Sequence, residues 1–344
     1  MQQQDIRSLL PEELEAAVVA MGEKPFRAKQ IFRWLTQGVT DFGEMTNLPG
    51  ALREKLEASF TLSVPQLIEK QISKEDGTVK YLWGLEDGNS IETVLMRYRH
   101  GNTVCISTQV GCRMGCAFCA SAIGGLVRNL RPSEMLGQVL FTEKDSGHKI
   151  SNIVLMGIGE PLDNLENVLR FLQLVNHPDG LYIGMRHITL STSGLVEEID
   201  KLGEHNIQLT LSVSLHAPDD ETRNQLMPIN RKWGVDALME ACRRYFVRTG
   251  RRVSFEYAMI DGVNDTAEHR DLLARRMLDV GGHLNLIPLN PVAERELRGS
   301  GRRKVEAFAE ALRRESVNVT IRRSLGGDIE ASCGQLRRKK ERKP

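Results

Sequence analysis

Three cysteines spaced Cys112-x3-Cys116-x2-Cys119 follow a strand-like run from Thr103 to Val110. They offer three thiolates to a metal centre and leave one position open. An iron–sulfur cube is normally held by four thiolates, so a cube held by three has one iron free to take a non-protein ligand. Open coordination is where chemistry takes place. The competing reading is structural zinc, which wants a fourth thiolate or imidazole and more often uses paired Cys-x2-Cys knuckles. In that reading Cys105 completes the set.

Other polar groups gather where strand-like runs end. One run stops at Gly157-Ile158-Gly159-Glu160-Pro161, another at Ser191-Thr192-Ser193-Gly194, a third at Ser214-Leu215-His216-Ala217-Pro218 and a fourth at Leu289-Asn290-Pro291. Glycine lets backbone approach a ligand closely, while Glu160, Ser191, Ser214, His216 and Asn290 offer donors and acceptors suited to an amino acid and a ribose. Each motif alone is a common turn; their recurrence at equivalent positions sets them apart. Cys242 sits at helical core spacing with Leu238, Met239 and Tyr245 and reads as a buried structural thiol. Cys105 precedes the cysteine loop, and Cys333 lies in a poorly apolar Gly326–Gln335 segment where it has little packing to do. Glu92 shares a strand face with Val94 and Met96, a pattern that also fits an ordinary edge-strand carboxylate.

The elements that must position these groups follow from periodicity. Residues 1–62 carry helical spacing at Leu14, Val18 and Met21, at Ile31, Phe32 and Leu35, and at Leu52, Leu56 and Phe60, with a break at Leu48-Pro49-Gly50. This predicts a small N-terminal helical domain. Its stretch Lys24–Trp34 interleaves basic and aromatic residues, which suits phosphate contact and base stacking but equally suits an amphipathic helix. Residues 63–100 read as a β-meander with turns at Asp76-Gly77 and Asp87-Gly88-Asn89. From 101 to 336, strands expected at 103–109, 151–156, 187–190, 208–214, 252–259, 283–288 and 317–322 alternate with helices at 133–145, 164–175, 195–204, 235–248, 266–279 and 302–314. That alternation implies parallel βα units and a partial (βα)6 barrel, an α/β fold whose reactive groups sit past the carboxyl ends of its strands. Residues 337–344 form a basic tail.

The 46 Lys and Arg against 45 Asp and Glu give a net charge of +1, so any RNA affinity must come from local clusters. Six cysteines, four of them between Cys105 and Cys119, do not read as a secreted disulfide framework, and no signal pattern opens the chain. The expected compartment is the reducing cytoplasm, and no apolar run is long enough to predict a membrane span.

The cysteine loop resembles the signature of radical S-adenosylmethionine (SAM) enzymes. Taken with Glu92–Met96, Cys105-Ile106-Ser107, the Gly-Glu-Pro, Ser-Thr-Ser-Gly and Ser-Leu-His-Ala-Pro motifs and Asp328–Leu336, the chain closely resembles bacterial dual-specificity RNA adenine C2 methyltransferases from end to end. That resemblance implies methylation of an adenosine in 23S ribosomal RNA, in the peptidyl-transferase centre, and of the adenosine 3′ of the anticodon in transfer RNAs. It implies one 4Fe-4S cluster on Cys112, Cys116 and Cys119, two SAM molecules per turnover, and an electron donor such as flavodoxin or ferredoxin. SAM contacts are expected from Gly159, Glu160, Ser191, Ser214, Leu215, His216 and Asn290. A relative that methylates C8 of the same ribosomal adenosine is the alternative, and Pro161 after Gly159-Glu160 looks more like the C2 branch. A non-catalytic, metal-stabilised RNA-binding module is the rival from another class.

Adenine C2 lies between two ring nitrogens and is too electron-poor to attack the methyl of SAM. The resemblance implies that Cys333 first accepts a methyl from one SAM, releasing S-adenosylhomocysteine, since a thiolate is a competent nucleophile where that carbon is not. The reduced cluster then cleaves a second SAM to methionine and a 5′-deoxyadenosyl radical, which takes hydrogen from the S-methyl group. The resulting carbon radical adds to C2. After loss of an electron and the C2 proton, Cys105 attacks the sulfur of Cys333, releasing methylated RNA and leaving a transient Cys105–Cys333 disulfide. Either Glu92 or Cys105 is the expected base for the C2 proton.

Overall fold

The computed structural model describes residues 3–99, 101–290, 292, 294–329 and 334–337. The apolar spacing of the first sixty residues folds as α1 (Pro11–Ala20), α2 (Phe26–Thr36) and α3 (Gly50–Ser59), and a short parallel pairing of β1 (Gln4–Asp5) with β2 (Phe60–Thr61) ties the two ends together. In α2 the residues Ala28, Ile31, Phe32 and Leu35 are buried, while Lys29 and Arg33 on the other side pair with Asp179. Phe26 remains exposed, with the Arg27 guanidinium over its ring. One face of this basic and aromatic helix therefore belongs to the core. Arg7 is fully buried and donates to the carbonyls of Leu35, Val39 and Ser63, which removes the cost of leaving those oxygens unpaired.

The meander forms as β3 (Gln66–Ile72), β4 (Val79–Gly84) and β5 (Ser90–Tyr98), each antiparallel to the next. It does not stand apart. β5 also pairs antiparallel with β6 (Gly101–Cys105), the first strand of the α/β portion, so the meander extends the main sheet. Beyond β6 the chain makes a short antiparallel hairpin, β7 (Gln109–Gly111) with β8 (Leu126–Asn129), and then alternates regularly. The succession is α4 (Pro132–Ser146), β9 (Ile150–Leu155), α5 (Leu165–Asn176), β10 (Ile188–Thr192), α6 (Val196–Glu204), β11 (Thr210–Ser214), α7 (Asp220–Leu226), α8 (Val235–Thr249), β12 (Ser254–Met259), α9 (Ala267–Val280), β13 (His283–Pro288), α10 (Arg302–Arg314) and β14 (Val319–Ile321).

Strands β6, β9, β10, β11, β12, β13 and β14 are parallel neighbours in chain order, within a ten-stranded sheet whose edges are β3 and β14. βα units that add each new parallel strand on the same side of the last put their helices on one face and curl the sheet, which gives the wall of an incomplete barrel. β12 shows the two faces. Phe255, Tyr257 and Met259 are buried, with Tyr257 stacked on Phe308 of α10, whereas Glu256 and Ala258 line the inner cavity.

Two local details depart from the expected pattern. The strand expected at 103–109 breaks after Cys105, because Gln109–Gly111 leaves the main sheet to pair with β8 and bracket the cysteine loop. The seven-residue α7, capped by the Asp219 side chain on the Thr222 N–H, lies where no helix is expected; it buries only Arg223 and Leu226 and so leaves no apolar period to read.

Candidate active site

A cavity of about 390 Å³ opens at the carboxyl ends of the parallel strands. Cys112, Cys116 and Cys119 line it together with Cys105. The loop carrying the three cysteines is fixed by its own backbone: Cys112 N–H donates to Gly125, Cys119 N–H to Cys116, and Ala117 N–H to Leu226 at the end of α7. Phe118 sets its ring edge-on to His216, 4.8 Å between centroids. The cysteine loop is thus joined both to the hairpin that precedes it and to the β11 end across the barrel.

No disulfide joins Cys112, Cys116 and Cys119, and burial pushes Cys112 up to about 12 and Cys116 well above the usual thiol range. A metal centre would relieve that cost by taking them as thiolates. Among the described residues no three His, Cys, Asp or Glu side chains come together around the position of a single ion. Three cysteines on one short loop beside an open cavity fit a cluster in which each cysteine binds a different iron and one iron is left open. The donor set therefore fits a three-cysteine iron–sulfur cube.

Glu160 lines the same cavity at 3% exposure. Its Oε2 accepts both the main-chain N–H and the hydroxyl of Ser193, each at 2.7 Å, and its Oε1 accepts Leu162 N–H. Burial raises its carboxyl above the ordinary range despite these bonds. A buried carboxylate at a cavity wall without a cationic side chain among these contacts suits an incoming ammonium. Gly159 before it has φ +111, and a Cβ there would stand 2.6 Å from Gln109 Cβ, so only glycine lets the Gly-Glu-Pro turn lie against that neighbour.

His216 adopts φ +56 and is buried. Its Nδ1 accepts the Ala258 N–H at 2.9 Å, which assigns the ring proton to Nε2. Burial, reinforced by the nearby Arg223 charge, pulls its pKa down to about 3, so the ring is neutral near pH 7. Arg223 is fully buried and donates to the carbonyls of Leu215, Ser193 and Ser214 and to Asn230 Oδ1. One guanidinium thereby staples the ends of β10 and β11.

The cavity receives Gly159, Glu160, Ser191, Ser214, His216 and Asn290 of the residues expected from sequence to contact SAM. Leu215 is not among its walls. It is fully buried, and its N–H and carbonyl are engaged by Glu256 and Arg223, because the alternation that turns Ser214 and His216 to the cavity turns Leu215 into the core. Cys242 is fully buried in α8. Sequence reasoning missed Glu256, whose Oε1 accepts from Ser212 and Asn285 and whose Oε2 faces Arg322 at 3.6 Å. The signal was present: a carboxylate between Phe255 and Tyr257 on a barrel strand must point inward.

Glu92 is buried but is not a cavity wall residue. Val94, two residues along the same strand face, lies directly opposite Cys105 in the β5–β6 pairing. Cys333 lies outside the described residues, but described segments on both sides of it are anchored. On one side the Asp328 carboxylate accepts from Ser73 Oγ and Lys74 N–H in the meander turn. On the other, Gly334 N–H donates to Glu92 at 2.6 Å.

Residues 106–273 match the radical SAM superfamily, and residues 4–62 match the ribosomal RNA large subunit methyltransferase N-terminal domain. The chain is 51% identical to a probable dual-specificity RNA methyltransferase RlmN of Desulforamulus reducens, covering 98% of this chain and 97% of that one. This chain belongs to the RlmN family. A second RlmN relative, from Geobacillus kaustophilus, is 52% identical over 98% of this chain and 93% of its own length. The crystal structure of a radical SAM methyltransferase from Sphaerobacter thermophilus superposes with a TM-score of 0.92 at 42% identity, covering 96% of this chain and 98% of that one. As a member of the RlmN family this chain is a SAM-dependent methyltransferase that uses a 4Fe-4S cluster, and the three-cysteine loop is where its donor set fits that cluster.

Proposed function

We propose that this chain methylates C2 of an adenosine in large-subunit ribosomal RNA and in transfer RNA, through an S-methylcysteine at Cys333. The single observation that carries this reading is the docking of Gly334, the residue after Cys333, against the end of the cysteine loop. A Cβ on Gly334 would stand 2.7 Å from Ser121 N, two residues past Cys119. An otherwise unremarkable C-terminal segment is thereby bound beside the cluster loop and, through Glu92, beside the strand face that bears Cys105. The relatives' dual specificity toward RNA supports both substrates.

Cys112, Cys116 and Cys119 would hold the cluster, which with SAM supplies a 5′-deoxyadenosyl radical. Glu160, held by Ser193, receives the ammonium of SAM, and the His216 Nε2–H and the hydroxyls of Ser191 and Ser214 offer polar contacts at the cavity wall. Cys333 serves as methyl acceptor. Cys105 frees the product by attack on the Cys333 sulfur, and the disulfide this leaves must be reduced before another turnover. A small one-electron carrier such as flavodoxin or ferredoxin would reduce the cluster.

Mass spectrometry of ribosomal and transfer RNA from a deletion strain and a complemented strain tests the reading. Loss and restoration of 2-methyladenosine in both RNAs is expected. A methyl at C8, or no change in either RNA, would overturn it.

A further inference from the structure

Glu92 sits where the meander meets the segment that follows Cys333. It is 3% exposed, and its partner Lys80 is fully buried. Oε2 takes the Lys80 ammonium at 3.0 Å and the Gly334 N–H at 2.6 Å, while Oε1 takes the Arg337 N–H at 2.7 Å. Three donors thus occupy one carboxylate, and two of them belong to the backbone of a segment more than two hundred residues away. Removing an ion pair from water is costly, and the cost is offset only when further hydrogen bonds complete it. Here those further bonds come from the turn that follows Cys333.

The opposite side of that turn is equally constrained. Gly334 has φ +82, and a Cβ would approach Ser121 N at 2.7 Å, Ser121 Oγ at 2.8 Å and the Ala120 carbonyl carbon at 3.0 Å. The turn at 334–337 is gripped between the Glu92 carboxylate and the chain just past Cys119. Leu336 within it is buried as well.

We propose that the Lys80–Glu92 pair is a docking site for the backbone of residues 334–337, which makes Glu92 a positioning residue that fixes where the chain leaves Cys333. This rests on the reading of Cys333 as methyl acceptor and deepens it. Of the two groups that sequence offers as base for the C2 proton, Glu92 is then the one committed elsewhere.

The test uses full-length protein expressed and purified anaerobically with its cluster. Glu92→Gln replaces one acceptor with a donor, Lys80→Met removes the counter-charge, and Gly334→Ala loosens the turn while leaving the pair intact. Docking predicts that each lowers S-methylation of Cys333, read by peptide mass spectrometry, at least tenfold. Iron content and reductive cleavage of SAM should stay near those of the parent protein, which a general loss of structure would not allow. No covalent RNA adduct should build up. Full Cys333 methylation in Glu92→Gln with an accumulating adduct would overturn the proposal and assign Glu92 as the base. Full methylation in Gly334→Ala would overturn it independently, even if Glu92→Gln fails to fold. Absence of S-methylcysteine from the parent protein would instead overturn the acceptor reading, so the two failures are distinct.

Discussion

Ser193 gives Glu160 two hydrogen bonds of equal length, 2.7 Å from its main-chain N–H and 2.7 Å from its hydroxyl. The end of β10 therefore sets the orientation of the carboxylate in the Gly-Glu-Pro turn before any ligand arrives. With both oxygens held inside the protein, the side chain spends no rotamer entropy in meeting an ammonium.

Glu160→Gln should weaken SAM binding at least tenfold, in line with about 1.5–3 kcal/mol for a hydrogen bond to a charged group. Ser193→Ala should weaken it less, since Glu160 keeps its charge and its main-chain donors. Equilibrium dialysis of anaerobic, cluster-loaded protein measures both. Unchanged affinity in Glu160→Gln would remove it from the SAM site.

The three-cysteine loop makes an equally direct prediction. Ala at Cys112, Cys116 or Cys119 removes a thiolate from a set that has no spare, so each variant should lose bound iron, the brown absorption and reductive 5′-deoxyadenosine formation. Iron analysis and product chromatography check this. A variant that still forms 5′-deoxyadenosine would exclude that cysteine as a ligand.

His216 predicts an acid-side weakness. Its folded pKa is depressed to about 3 from 6.5, so between those values the unfolded chain binds the extra proton and the folded chain does not. Stability is therefore present above about pH 6.5 and falls as pH is lowered, by up to about 1.4 kcal/mol per pH unit from this group. His216→Asn keeps an acceptor for the Ala258 N–H, tolerates a positive φ and does not titrate. Its denaturant midpoint should depend less on pH than the parent's between about pH 6.5 and about pH 5. Parallel curves would show that His216 does not titrate on unfolding in that range.

What sequence made legible was local. The helices α4, α5, α6, α8, α9 and α10 and the strands between them follow from apolar period, and the cysteine loop follows from spacing alone. The rest depends on contacts distant in the chain. Gly334 meets Glu92 across 242 residues, and nothing around Glu92 distinguishes it from an edge-strand carboxylate until that contact is seen. Lys80 alternates with the apolar Val79 and Tyr81, so nothing local marks it for burial; it is fully buried where Glu92, itself bonded to the 334–337 backbone, meets it. The core placement of Leu215 was readable from strand alternation past Ser214.

Cys105 and Cys333 separate the two halves of the proposed chemistry. Cys333→Ala removes the methyl acceptor, so it should give neither S-methylcysteine nor methylated RNA, while cluster loading and SAM binding persist. Cys105 is buried at the cavity wall, opposite Val94 and far along the chain from Cys333. Cys105→Ala leaves acceptor and cluster in place but removes the thiol that attacks the Cys333 sulfur, so a covalent protein–RNA adduct should accumulate in cells. Denaturing gels with and without nuclease, followed by peptide mass spectrometry, would locate the adduct at Cys333. Normal turnover of Cys105→Ala, or an adduct that persists in the double variant Cys105→Ala/Cys333→Ala, would show that these thiols do not play the assigned parts.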